Sequence, residues 1–149
     1  MKNTLLLIVL LQPMLLYAQY FSKSINWDTN VNNNGLAIVK NIAGNYAITG
    51  ATKYNGTELW YPFLVEINDT GHINHIFNYP NNLPKISSMN DIVATEGGYL
   101  LGGWIEDSVV AGSYCIITNL GGSAVSSNFV GDSSFVNHCM TACRTHDGG

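Results

Sequence analysis

Charged residues are scarce in this chain. Among its 149 residues, Lys and Arg number 6, Asp and Glu number 10, and the formal net charge is −4. Proteins that bind nucleic acid neutralise its phosphates with clustered basic side chains, so this composition excludes nucleic acid as a partner. The chain also lacks a basic amphipathic helix of the kind that holds proteins on membrane surfaces.

Cysteine and histidine are also few, but four of them fall close together near the C-terminus. His138, Cys139, Cys143 and His146 lie within 9 residues. The repeat described below places them on a strand, where residues four apart lie roughly 13 Å apart, too far to bind one zinc ion. We therefore expect no metal and no cofactor.

Three cysteines leave at least one without a partner in an exported protein. A Cys115–Cys143 disulfide between neighbouring repeat units is one candidate. A Cys115–Cys139 disulfide is another, and a partner outside this sequence is a third.

The longest apolar stretch stands at the N-terminus. Leu5–Leu11 is an unbroken apolar run behind Lys2, and Ala18 is a small residue at the place where a signal peptidase would cut. This pattern predicts a secretory signal peptide over residues 1–18, with no membrane span after its removal and a secreted or cell-surface location. A retained N-terminal anchor is the alternative.

A short phrase of glycine, tyrosine and aliphatic residues occurs almost three times. Ala43–Gly50 recurs as Glu96–Gly103, and a third copy begins at Asp147. A second turn keeps the same period, because Gly71 and Gly122 are 51 residues apart. A period near 50 with hairpin turns in each unit is typical of β-propellers and β-arrays.

Each unit contains four predicted strands joined by short turns. The first unit has strands at Leu36–Ile42, Tyr46–Thr49, Leu59–Ile67 and Ile73–Tyr79. The second unit has strands at Asp91–Thr95, Tyr99–Ile105, Ser113–Thr118 and Ala124–Val130. Gly50 marks the end of the second strand in this interpretation.

The predicted fold is therefore all-β, with propeller-like, four-stranded antiparallel blades. We expect an N-terminal arm or closing strand at 19–34, blade 1 at 35–82, blade 2 at 83–134 and a truncated start of blade 3 at 135–149. Tyr20–Trp27 would be the closing strand, or else a loose arm that packs Trp27 on the first blade. Two blades and a stub cannot close a ring of roughly four to eight blades, so the sequence predicts an incomplete ring and an N-terminal fragment.

These motifs resemble those of a known family. Glu96–Gly103, the aliphatic strands Phe63–Asn68 and Cys115–Asn119, and the Gly turns after them resemble DGGY-type repeats of secreted bacterial β-propeller proteins. Such proteins usually carry a C-terminal sorting domain for type IX secretion. The resemblance covers residues 20–149 and implies a propeller fold and export.

Acidic residues offer no pair that predicts hydrolysis. Asp69-x-Gly71 resembles the structural Asp-box of sialidase propellers, and we interpret it as an Asx-type turn. A glycosidase needs two acids facing one bond. Asp91 lies near the start of a predicted inner strand, and Glu106 and Asp107 lie together after the second strand of that unit. Neither place has an evident partner, so exposed loop acids are the preferred interpretation.

Three aromatic residues are the remaining candidates for a binding site. Trp60, Tyr61 and Trp104 lie near the ends of predicted strands and could form a stacking surface for sugar rings. Packing between adjacent sheets is the alternative role for such residues.

The leading functional hypothesis is an exported β-propeller scaffold or binding module without catalysis. Its partner would be a surface polymer or a protein, that is, a glycan or a cell-surface protein. The alternative is the N-terminal propeller part of a secreted hydrolase that acts on polysaccharide and has its catalytic residues outside this chain.

Overall fold

The computed structural model describes residues 27–79, 86–106, 111–130 and 141–143. These residues form two four-stranded antiparallel sheets and contain no helix. Sheet 1 contains β1 (Val31–Lys40), β2 (Tyr46–Tyr54), β3 (Trp60–Ile67) and β4 (Ile73–Asn78). Sheet 2 contains β5 (Ile86–Ala94), β6 (Gly98–Glu106), β7 (Ala111–Asn119) and β8 (Ala124–Val130). In this part of the chain, no helix is long and apolar enough to span a membrane.

The predicted all-β class and the four antiparallel strands per unit are confirmed, but three strand limits were wrong by five residues. β1 begins at Val31 rather than Leu36, and β5 begins at Ile86 rather than Asp91. β2 passes through Gly50 and ends at Tyr54. The polar residues at the start of β1 do not predict a strand. Their backbone nevertheless pairs with β2, beginning with Val31 opposite Tyr54.

Gly50 and its counterpart Gly103 lie inside strands because each faces a β-bulge. The pairing of β1 with β2 shifts around Leu36, and the pairing of β5 with β6 shifts around Asn90. A Cβ on Gly50 would collide with the backbone oxygen of Asn34, and a Cβ on Gly103 would collide with that of Ser88. The repeated glycine is therefore required by the close approach of the bulged strand, as interior strand glycines often are.

Three hairpin turns share one asparagine-headed design. The N–H of Asn68 donates to the carbonyl of His72, and the Asn68 side-chain oxygen accepts from the backbone N–H groups of Thr70 and His72. Asn41 and Asn119 begin turns with the same backbone bonds. The turn is of the Asx type, but Asn68 heads it, and the neighbouring Asp69 is exposed.

The sheets pack head to tail, which means that non-equivalent faces of the two sheets meet. The face of sheet 1 that carries Ala47 and Leu64 packs on the face of sheet 2 that carries Tyr99 and Leu101. Tyr46 occupies the position in β2 that Tyr99 occupies in β6. Its side chain points to the opposite face of sheet 1 and joins a separate hydrophobic cluster. Equivalent faces of the two sheets therefore point the same way along the stack.

Trp27 covers part of that opposite face of sheet 1. Its ring meets the ring of Phe63 edge-on, with centroids 5.0 Å apart. The rest of the proposed closing strand Tyr20–Trp27 lies outside the described residues. Only 141–143 of the predicted third unit are described.

Candidate functional site

A groove opens where the two sheets meet. Its cavity volume is about 270 Å³, slightly below the usual size of pockets for drug-sized ligands. Strands β1, β2 and β3 of sheet 1 and β5 and β6 of sheet 2 contribute to its lining. The described residues of the lining are Asn34, Leu36, Ala51, Trp60, Ser88, Asn90 and Trp104.

The repeat itself builds this groove. Six of the lining residues occupy three equivalent positions of the two repeats. Asn34 corresponds to Ser88, and their cross-strand partners Ala51 and Trp104 correspond to each other. Leu36 and Asn90 are the bulged residues of the two sheets. Bulges bend a strand and redirect its side chains. The sequence signal for the site was therefore the strand glycine in each repeat. We had interpreted Gly50 as a strand end, whereas Gly103 lay inside the predicted strand Tyr99–Ile105.

The structure separates the three predicted aromatic residues. Trp60 comes from β3 of sheet 1 and Trp104 from β6 of sheet 2, and both are half-buried residues of the groove lining. Alternation from Leu101 places the Trp104 side chain on the face of sheet 2 opposite to the face that packs on sheet 1. Tyr61 points to the other face of β3, since neighbouring strand residues alternate, and meets Tyr54 with ring centroids 6.0 Å apart. Trp60 and Trp104 remain candidates for stacking a ligand at this groove, whereas Tyr61 lies outside it.

Among the described residues that line the groove, no side chain is charged. The polar members of this lining are Asn34, Asn90 and Ser88, whose hydroxyl donates to the Asn90 side-chain oxygen over 3.4 Å. The ammonium of Lys53 lies 6.0 Å from the centroid of the Trp60 ring. Lys53 is also 2.8 Å from a carboxylate oxygen of Glu58, so its charge is balanced locally.

A second polar cluster lies in the interface between the sheets, around the buried carboxylate of Glu66. This carboxylate accepts hydrogen bonds from the Tyr99 hydroxyl at 2.7 Å and from the side-chain amides of Asn45 at 2.9 Å, Asn41 at 3.3 Å and Asn74 at 3.4 Å. Burial and the bond to Glu66 raise the pKa of Tyr99 to about 12. A carboxylate held by four donors suits an interface contact better than proton transfer.

The sequence showed no evident partner for Asp91, and that prediction was wrong. It lies inside β5, and one carboxylate oxygen accepts from the Thr141 hydroxyl and the Ala142 N–H, both at 2.7 Å. The other oxygen accepts from the Ile92 N–H at 2.8 Å. Burial acts to raise the pKa of Asp91, but these hydrogen bonds outweigh it and hold the pKa below its ordinary value.

Glu106 is exposed at the end of β6. Cys115 is half-buried in β7, and Cys143 is an exposed free thiol, so the Cys115–Cys143 disulfide stays a prediction. Across the described residues, no three His, Cys, Asp or Glu side chains are grouped so as to hold a metal ion. Asp107, His138, Cys139 and His146 lie outside them.

Comparison of the chain with protein-family models and with curated proteins finds no match. The resemblance to type IX propeller repeats therefore stays a prediction, and any function must be derived from the groove.

Proposed function

We propose that this chain is a binding module of an exported β-propeller and takes its ligand at the groove between the sheets. The observation that carries the proposal is that Trp60 and Trp104, from different sheets, line one groove. Tryptophan offers a large, rigid apolar surface with one N–H donor, and it is enriched among the residues that dominate binding energy.

Both tryptophans keep some exposed surface that a ligand could cover. Each is half-buried as a residue. Their neighbours Asn34 and Asn90 carry amides that can both donate and accept hydrogen bonds. A groove with apolar walls and a few polar groups is the usual form of a ligand site.

The propeller part of the proposal is supported by the head-to-tail packing of the sheets. Ile38 and Ile92 occupy equivalent positions, each two residues after a bulge. Ile92 is only 5% exposed because sheet 1 covers it, whereas Ile38 is 61% exposed. A further sheet of the same kind, packed on sheet 1, would cover Ile38 as sheet 1 covers Ile92.

Export is supported by the sequence alone. The apolar run at Leu5–Leu11 and the small residue Ala18 fit a signal peptide, and the low charge suits a secreted or cell-surface β protein. Secretion by the type IX route rests on the repeat resemblance.

Binding of the full chain to immobilised polysaccharides and cell-surface proteins tests the proposal. We expect Trp60→Ala and Trp104→Ala each to weaken binding of any captured ligand by roughly tenfold or more, since such residues contribute at least about 1–2 kcal/mol. Tyr61→Ala is the matched control, because Tyr61 is adjacent to Trp60 but lies outside the groove. Unchanged affinity in both tryptophan variants would exclude the groove as the binding site.

A further inference from the structure

We infer that Asn55 is a site of spontaneous deamidation, the conversion of an asparagine side chain into a carboxylate. The chain contains the pair Asn-Gly twice, as Asn34-Gly35 and as Asn55-Gly56. Asparagine is a thermolabile residue, and a following glycine exposes its backbone nitrogen because it has no side chain. The two pairs are alike in sequence, but the structure places them in opposite settings.

The reaction joins the Gly56 backbone to the Asn55 side chain. The Gly56 nitrogen attacks the Cγ atom of Asn55 and closes a succinimide ring, while the bond from Cγ to Nδ2 breaks. Nδ2 leaves as ammonia and carries away the proton that the Gly56 nitrogen gives up. Water then opens the ring at either carbonyl, so residue 55 becomes aspartate or its isomer isoaspartate. The net reaction consumes one water, releases one ammonia and adds a negative charge.

Asn55 and Gly56 form the tip of the turn that follows β2. The Thr57 N–H donates to the Tyr54 carbonyl at 3.1 Å, so the turn closes around the peptide between them. Gly56 has a φ of 82°, which glycine adopts readily at this position of a turn. Both tip residues are exposed, and a Cβ on Gly56 would meet nothing within 4 Å. The surroundings therefore leave room for the ring to form and give water access to it.

Asn34 and Gly35 are instead held within β1. Asn34 pairs with Ala51 of β2, and Gly35 pairs with Gly50. Ring closure requires the backbone to rotate out of this extended pairing, so it must wait for local opening of the strand pair, which costs free energy. Asn34, which lines the groove, should therefore keep its amide while Asn55 loses its own.

The two products change the loop between β2 and β3 in different ways. Isoaspartate carries the main chain through its Cβ atom, so it lengthens the turn and disturbs the bond from Thr57 to Tyr54. Aspartate keeps the main chain and adds only its charge, two residues after Lys53, which Glu58 already holds at 2.8 Å. This modification does not depend on the proposed ligand site.

Peptide mapping of the full chain by mass spectrometry, after incubation in mildly alkaline buffer, tests the inference. Aspartate and isoaspartate are quantified at positions 55 and 34 at successive times. We expect Asn55 in the folded protein to convert at least roughly tenfold faster than Asn34, because Asn34 reacts only after local opening. In guanidinium chloride, which removes the strand pairing, the two rates should agree within roughly threefold.

The variants Asn55→Gln and Asn34→Gln provide a matched pair of controls. Isoelectric focusing should show that the first variant loses the early acidic species and that the second retains it. Equal rates at the two sites in the folded protein, or no conversion at position 55, would overturn the inference. A preference for Asn55 that is just as large in guanidinium chloride would also overturn it, because neighbouring sequence rather than the fold would then select the site.

Discussion

The hydroxyl of Tyr99 lies 2.7 Å from a carboxylate oxygen of Glu66, and this hydrogen bond joins sheet 2 to sheet 1. Glu66 is buried in the interface, so its carboxylate depends on protein donors in place of water. The groove exists only while the sheets keep this relative position. Tyr99 and Glu66 are therefore structural determinants of the candidate site, although neither lines it.

Removing the Tyr99 hydroxyl should destabilise the fold. We expect Tyr99→Phe to lower the free energy of unfolding by about 1–3 kcal/mol, because it deletes a hydrogen bond to a buried charged group. Urea denaturation would measure this loss. Tyr46→Phe is the matched control, since Tyr46 is the repeat equivalent on the opposite face of sheet 1 and should lose much less. Equal losses in both variants would contradict a specific role for the Glu66 contact.

The same residue predicts a loss of stability in strong alkali. The pKa of Tyr99 is raised from its ordinary value of 10.0 to about 12 in the folded protein. As the pH rises, Tyr99 therefore loses its proton in the unfolded chain before it does so in the folded protein. The contribution of Tyr99 to the free energy of unfolding is complete below about pH 10 and is lost as the pH rises towards 12. Denaturation midpoints across this range should fall less steeply in Tyr99→Phe than in the wild type. Burial also raises the pKa of Tyr79, so some pH dependence should persist in that variant.

The strand glycines opposite the bulges should not tolerate a methyl group. We expect Gly50→Ala and Gly103→Ala each to cost about 1–3 kcal/mol of unfolding free energy, because the new Cβ would collide with a backbone oxygen. Gly97→Ala is the control, since a Cβ there meets nothing within 4 Å. Thermal or urea denaturation of the three variants gives the comparison. A loss for Gly97→Ala as large as that for Gly103→Ala would show that the bulge is not the reason for the glycine.

The asparagine-headed turns can be tested with neighbouring residues. We expect Asn68→Ala to cost about 1–2 kcal/mol, because its side-chain oxygen accepts from Thr70 and His72. Asp69→Ala should change the stability by no more than about 0.5 kcal/mol, since Asp69 is exposed. A larger effect at Asp69 than at Asn68, measured by urea denaturation, would refute the assignment of Asn68 as the head of the turn.

Asp91 should hold the segment at 141–142 against β5 in a manner that depends on pH. The pKa of Asp91 in the folded protein lies below its ordinary value of 3.8. The contribution of Asp91 to stability is therefore present above pH 3.8 and is lost as the pH falls through the folded-state pKa. We expect Asp91→Ala to speed hydrogen exchange at the Ala142 amide near neutral pH, because its acceptor is removed. Glu106→Ala, which changes an exposed acid at the end of β6, serves as the control. Unchanged exchange at Ala142 in the Asp91 variant would show that this bond does not restrain the segment.

Local sequence signals predicted much of the architecture and little of the site. The Gly turns at Gly71 and Gly122 identified equivalent hairpins, and the β8 limits Ala124–Val130 were correct, because turn chemistry and strand propensity are local properties. The start of β1 was missed because its asparagines resemble a loop. Its strand conformation comes from backbone pairing with β2, which side-chain composition does not encode.

The sequence by itself determined the repeat, the all-β class and the four strands of each unit, since periodic turns and alternating strands depend on neighbours along the chain. Tertiary structure alone decided that Trp60 and Trp104 share a groove while Tyr61 does not. It also decided that Glu66 accepts a hydrogen bond from the Tyr99 hydroxyl and that Asp91 accepts one from the Ala142 N–H. Both bonds join residues that are far apart in the chain. Such contacts depend on which faces of the two sheets meet, and that choice is made by packing between units rather than within one.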